Sequence, residues 1–165
     1  MAQKTSTAGK SIIKEFEGFR AIAYLCPAGV WTVGYGSTRI NGKPVGKGTK
    51  ITTEEAEVFL EQDLKSFEDG VSQNVSIELT QNQFDALVCF VYNVGLGNFK
   101  KSTLLKKLNA GKLEEAAEEF LKWDKSKGKS LPGLTRRRKA ERALFLSEGY
   151  DHTDYKTDHR RRNSR

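Results

Sequence analysis

Residues 26–36 read Cys26-Pro27-Ala28-Gly29-Val30-Trp31-Thr32-Val33-Gly34-Tyr35-Gly36. A Pro-Ala-Gly turn followed by a β-branched and aromatic run predicts a strand, and Ile40-Asn41-Gly42-Lys43 beyond it predicts a hairpin turn. Everything later reads as helix, so this stretch makes the chain α+β rather than all-α. Upstream, residues 1–10 are polar and read as a loose end. Ile12, Ile13 and Phe16 share one face of a helix over about 6–16, which Gly18 can stop.

Downstream, Thr52-Thr53-Glu54-Glu55 is a capping box, followed by Ala56, Phe59, Leu60, Leu64 and Phe67 at helical spacing. Thr80-Gln81-Asn82-Gln83 is a second one. It opens a segment, 84–94, that is apolar on nearly every side and stops at Gly95-Leu96-Gly97, as a central core helix would. Further helices are expected over about 102–109, 113–123 and 136–147. Residues 150–165 show no periodicity, and no internal repeat is evident. The expected architecture is a small sheet lobe (about 19–50) and a larger helical lobe (about 51–148, joined by the N-terminal helix), with a cleft between them. A basic, disordered tail at 149–165 follows.

Composition narrows the chemistry. The 165 residues fit one domain. The two histidines, His152 and His159, lie in the polar tail, so a His-based nucleophilic triad has no base and a zinc hydrolase no ligand set. Neither a metal nor a cofactor is expected. Cys26 and Cys89 allow at most one disulfide. Apolar runs fall short of the ~20 residues that span a bilayer, and no signal peptide opens the chain, so a soluble protein without stable membrane insertion is expected. If the chain is an enzyme, carboxylates or a thiol do the work. The net charge is +7, and residues 122–142 hold nine Lys or Arg against Asp124 and Glu141. Such a surface attracts polyanions.

Three places break local rules. Glu17 ends an apolar helix beside Phe16 and Phe19. The helix C-terminus and the apolar neighbours both favour the protonated acid, which general-acid catalysis uses; a plain surface glutamate is the alternative. Thr32, Gly34 and Gly36 share one strand face that suits the close approach of another molecule better than core packing. A bent strand facing solvent is the alternative there. Arg136-Arg137-Arg138-Lys139 puts four cations in the first turn of the last helix, against its dipole. These cations meet an internal carboxylate or an anionic ligand, or they form a solvated basic face. Cys89, inside the apolar helix, reads as a small buried hydrophobe, whereas Cys26 sits in a polar turn.

Glu17, eight residues, Cys26, five residues and Thr32 resemble the Glu–x8–Asp/Cys–x5–Thr signature of the T4-lysozyme-like phage endolysins. The flanking Glu17-Gly18-Phe19-Arg20, Tyr24-Leu25-Cys26-Pro27-Ala28-Gly29 and Trp31-Thr32-Val33-Gly34-Tyr35-Gly36-Ser37-Thr38 agree. So do residues 84–95, Ser102-Thr103-Leu104-Leu105 and residues 131–138, which are similar to the lambdoid branch. The resemblance covers about 10–148.

It implies a lysozyme-like fold and a muramidase that hydrolyses the β-1,4 bond between N-acetylmuramic acid and N-acetylglucosamine in peptidoglycan. It also implies Glu17 as the acid, Cys26 in place of the commoner aspartate, and Thr32 holding the attacking water or supporting the second site. Gly36, Thr38, Tyr92, Asn93 and Ser102 would line the saccharide cleft. One of the arginines, with Arg137 the choice, would pair with Glu17 on the substrate side. A thiol breaks the two-carboxylate rule, so inversion or retention is not implied. Some relatives keep a catalytic cysteine in a disulfide and carry an N-terminal membrane segment. This chain shows no such segment, and a regulatory disulfide is not expected. A monomer is expected to wait in the host cytoplasm until a holin opens the inner membrane to the periplasm and wall. A lytic transglycosylase is the competing enzyme; it needs the acid but no second group to direct water. A non-enzymatic binder of anionic polymers is the competing class. Nucleic acid is disfavoured as its target, because no recognition motif is present.

Overall fold

Helix α1 (Thr7–Glu17) begins where Ser6 turns extended and its hydroxyl oxygen accepts the Gly9 N–H, which satisfies one orphan donor of the first turn. A computed structural model describes residues 3–147. The expectation of a loose end at 1–10 is corrected over the described part. Thr5 donates its N–H and its hydroxyl to Glu68, both at 2.6 Å, and the Ser6 N–H donates to buried Asp85 at 3.0 Å. Those acids lie 63 and 79 residues away in sequence, so local composition does not reveal them. At its other end α1 stops on Gly18, whose φ of +71° suits glycine and whose N–H closes on Lys14 O.

Strand β1 (Arg20–Leu25) pairs antiparallel with β2 (Trp31–Gly34), with Tyr24 opposite Thr32 and Leu25 opposite Trp31. A second ribbon, β3 (Arg39–Ile40) and β4 (Lys43–Pro44), turns through Asn41 and Gly42, both at positive φ as a two-residue hairpin requires. The strand expected over 30–36 ends at Gly34. There Val33 and Ser37 exchange both backbone hydrogen bonds at 2.9 Å and close a tight turn. The expected open face of Thr32, Gly34 and Gly36 is likewise corrected: a Cβ on Gly34 would lie 3.0 Å from Ile51 and 3.3 Å from Ala56. Alternation fails because both glycines take positive φ, Gly34 at +67° where β2 ends and Gly36 at +105° in the turn that follows.

The chain then runs beside β1, with the Ile51 N–H donating to Ala21 O at 2.8 Å, and enters α2 (Thr53–Asn74) through its capping box. Helix α3 (Gln81–Val94) starts at the second capping box and is buried without a break from Phe84 to Val91. It packs against α1, α2 and α7. Each of its large apolar side chains contributes about 1.5–3 kcal/mol by leaving water.

Three later elements depart from expectation. Helix α4 (Leu96–Lys101) begins where a stop was expected, because Gly95 at φ +92° redirects the chain and seats Leu96 against Gly70. After α5 (Thr103–Asn109) and α6 (Leu113–Phe120) comes a strand ribbon, β5 (Lys125–Ser126) and β6 (Lys129–Ser130), in a region read as helical. All four of its residues are exposed, so no hydrophobic period marks it. Helix α7 (Pro132–Leu146) starts at a proline, four positions before the expected start near 136. The arginine run therefore sits in its second turn. No described helix is long and apolar enough to cross a membrane. The expected tail, 149–165, lies outside the described residues.

Candidate active site

Glu17 is the last residue of α1, and its side chain retains 20% exposure. Arg137 Nη1 donates to its Oε1 at 2.8 Å. Arg137 itself is buried at 3% exposure, with Nε on Glu141 Oε2 at 3.2 Å and Nη2 on the Cys89 carbonyl at 2.9 Å. Burial works against its charge, the neighbouring Cys89, Glu141 and Glu17 act in its favour, and the pKa is raised. The arginine run thus divides. Arg137 and Arg138 meet internal carboxylates, whereas Arg136 and Lys139 face solvent. Arg137 pairs with Glu17, as expected, and lines the same cavity, with its remaining nitrogens held by Glu141 and the Cys89 carbonyl. Its wide reach follows from α7, which sets it one helical turn before Glu141 and against α3.

The sheet approaches Glu17 from another side. A Cβ on Gly36, at φ +105°, would lie 3.1 Å from both Glu17 Oε2 and the Tyr92 hydroxyl. That hydroxyl donates to Tyr35 O at 2.9 Å. Burial above all, then the Glu17 and Asp63 charges, raises the Tyr92 pKa and keeps the phenol neutral. Gly36→Ala is therefore expected to displace Glu17 and strain the turn, lowering kcat about ten- to a hundredfold. Steady-state turnover checks this, with circular dichroism to show that the variant is folded.

Cys26 and Thr32 share the Val30 carbonyl, which accepts the Cys26 N–H at 3.0 Å and the Thr32 hydroxyl at 3.0 Å. The pairing of Tyr24 with Thr32 and alternation along the ribbon put Cys26 and Thr32 on one face. Thr32 is nearly buried at 6% exposure, and Cys26 is half-buried at the head of its turn. Backbone hydrogen bonding at Val30, then Ala28, with the Thr32 hydroxyl adding to them, pulls the Cys26 thiol below its ordinary value. Cys89 is free as well, and burial pushes its thiol well up.

Asn93 joins Glu17, Phe16, Leu134, Arg136 and Arg137 in lining a cavity of about 570 Å³ between the end of α1 and the start of α7. No residue of 19–50 lines this cavity, which lies on the helical side of Glu17. Gly36 and Tyr92 fill the space beside Glu17 on the sheet side. Thr38 is exposed, with its carbonyl accepting the Val45 N–H. Ser102 is buried; its hydroxyl donates to Phe99 O at 2.7 Å and accepts the Leu105 N–H at 3.1 Å, so it caps α5 and takes no part in the Glu17 cluster.

Sequence reasoning missed Glu141, Arg138 and Asp63 as parts of this neighbourhood. Glu141 lies three and four residues after the two arginines, a spacing that places all three together on a helix. Asp63 accepts the Ser37 hydroxyl at 2.5 Å and fastens the turn after β2 to α2. Nothing local announces that contact.

The sequence profile of the Phage lysozyme family matches residues 14–141. The endolysin of Bacillus phage B103 is 49% identical over 144 residues, which are 86% of this chain and 54% of that protein. The chain thus spans about half the length of that relative. Among solved structures, an endolysin from Escherichia coli O157:H7 phage FAHEc1 is 40% identical with a TM-score of 0.83, covering 92% of this chain and 98% of that one. The muramidase domain of SpmX from Asticaccaulis excentricus is 39% identical with a TM-score of 0.81, over 88% of this chain and 99% of that one. Sequence and α+β, lysozyme-like fold agree across the stretch that holds Glu17, Cys26 and Thr32, and the chain belongs to the phage lysozyme family.

Proposed function

We propose that this chain is a muramidase that hydrolyses the β-1,4 bond between N-acetylmuramic acid and N-acetylglucosamine in the peptidoglycan of a phage-infected bacterium. The observation that carries this reading is Glu17, held by Arg137 at the mouth of a cavity and backed by a glycine that leaves it room. Glu17 gives its proton to the glycosidic oxygen as the bond to the anomeric carbon breaks, and that carbon gains the hydroxyl of water. Cys26, as a thiolate, supplies the second negative group, either taking the proton of that water or bonding to the anomeric carbon before water displaces it. Thr32 orients this second site through the carbonyl it shares with Cys26. Arg137 positions Glu17, while Asn93, Tyr92, Gly36 and Thr38 face the sugars.

The catalytic unit extends over 1–148 and acts as a monomer. It accumulates in the host cytoplasm and reaches the wall once a holin has opened the inner membrane. Its basic surface favours the negatively charged envelope. Digestion of purified peptidoglycan, followed by mass spectrometry of the new sugar ends, tests the reaction. Reducing N-acetylmuramic acid ends are expected. Anhydro ends would make the enzyme a lytic transglycosylase, and intact strands under reducing conditions would leave a binder of anionic polymers.

A further inference from the structure

Glu141 has no part in the chemistry proposed above, yet it is 0% exposed and sits between two arginines. Its Oε2 accepts from Arg137 Nε at 3.2 Å and its Oε1 from Arg138 Nη1 at 2.5 Å. From there the arginines diverge. Arg137 reaches Glu17 at 2.8 Å and is steadied by the Cys89 carbonyl at 2.9 Å. Arg138 reaches the side-chain oxygen of Asn93 with Nη2 and is steadied by the Trp123 carbonyl at 2.9 Å. One buried carboxylate therefore holds two guanidiniums, and each presents one residue of the same cavity, Glu17 or Asn93.

Stability alone is a poor reason for such a cluster, because removing these charges from water offsets most of their mutual attraction. Geometry is a better one. A guanidinium is a rigid planar fork, so fixing one edge fixes the direction of the others. Two neighbouring buried cations also repel, and Glu141 is the group that holds Arg137 and Arg138 together.

We propose that Glu141 is a positioning residue for the glycosidase: through Arg137 it sets where the Glu17 carboxyl lies, and through Arg138 it sets how Asn93 meets the sugar. The proposal rests on the reading of Glu17 as the acid.

Steady-state kinetics on peptidoglycan fragments of defined length test it, using wild type, Glu141→Asp, Arg138→Lys, Asn93→Ala and, as a control, Glu17→Gln. Rates are referred to the folded fraction from thermal melts. Glu141→Asp keeps the charge but draws the carboxylate back by one methylene, so it cannot reach both arginines. Its kcat is expected to fall about ten- to a hundredfold, since a misplacement of ~1 Å costs that order, and its KM to rise severalfold. Arg138→Lys shows most of its effect in KM and matches Asn93→Ala. Combining Glu141→Asp with Arg138→Lys raises KM no further. If Glu141→Asp folds and keeps both constants within twofold while its Tm falls, Glu141 is a packing residue and the proposal is overturned. Should Glu141→Asp fail to fold, the comparison of Arg138→Lys with Asn93→Ala decides, and unequal KM changes overturn it. An inactive wild type, or an active Glu17→Gln, would instead defeat the muramidase reading on which it rests.

Discussion

Glu17→Gln is expected to lower peptidoglycan turnover by about 10²–10⁴, the range that positioned proton transfer supplies, with KM little changed. The amide matches the carboxyl in size and fits between Gly36, Tyr92 and Arg137, where a larger group would not. Its oxygen can still accept the Arg137 Nη1 hydrogen, but its nitrogen has no proton acidic enough for a departing sugar oxygen. The fold should survive. Arg137 keeps Glu141 and the Cys89 carbonyl, so the substitution leaves no buried cation without a partner, the situation that costs several kcal/mol elsewhere. Turbidity loss of a peptidoglycan suspension and a thermal melt, read on the same preparation, check the two halves of the argument. Retention of more than a tenth of the wild-type rate would remove Glu17 from the acid role.

What could be read from the sequence was whatever a few adjacent residues determine. Both capping boxes bond as their spacing requires, and the all-round apolar segment is the buried helix α3. The Asn41-Gly42 turn closes the β3–β4 ribbon. The arginine run did meet internal carboxylates, Glu17 and Glu141, but the dipole argument that singled it out fails, because the helix starts at Pro132 and the run lies in its second turn. What stayed hidden depends on partners far along the chain. Thr5 and Ser6 look like a free end until Glu68 and Asp85 are placed beside them. Ser102 looks like a cleft residue until its hydroxyl is seen capping α5. The β5–β6 ribbon buries nothing and so leaves no periodic trace. At the site itself, the Cys26–Thr32 spacing is legible because a hairpin makes those residues neighbours. The step from Glu17 to Gly36 depends on the turn that Val33 and Ser37 close.

Position 26 carries the other large effect, and its sign can be worked out from the turn. Hydrogen bonding at Val30 and Ala28, joined by the Thr32 hydroxyl, stabilises the thiolate and lowers the pKa of Cys26. An unperturbed thiol ionises at about 8.5, so this one becomes charged at a lower pH. If the thiolate is the working form, activity rises with pH through that ionisation, giving the acid limb of the rate profile. Cys26→Ser places a hydroxyl there that does not ionise in the accessible range, so kcat should fall by about 10²–10⁴ where the wild-type thiol is ionised, and this acid limb should be absent. Cys26→Asp restores a negative charge with an unperturbed pKa of about 3.9. That variant should work at neutral pH, and its acid limb should move several pH units lower. Iodoacetamide should inactivate the wild type faster as pH rises and leave Cys26→Asp active, because Cys89 is buried in α3 and kept protonated. An acid limb that stays in place in Cys26→Asp would assign that ionisation to another group. A Cys26→Ser enzyme that keeps a tenth of its rate would leave Thr32 and water to act without an anion at position 26. Base and nucleophile both require the charge, so the profile identifies the working form of Cys26 independently of the stereochemical course.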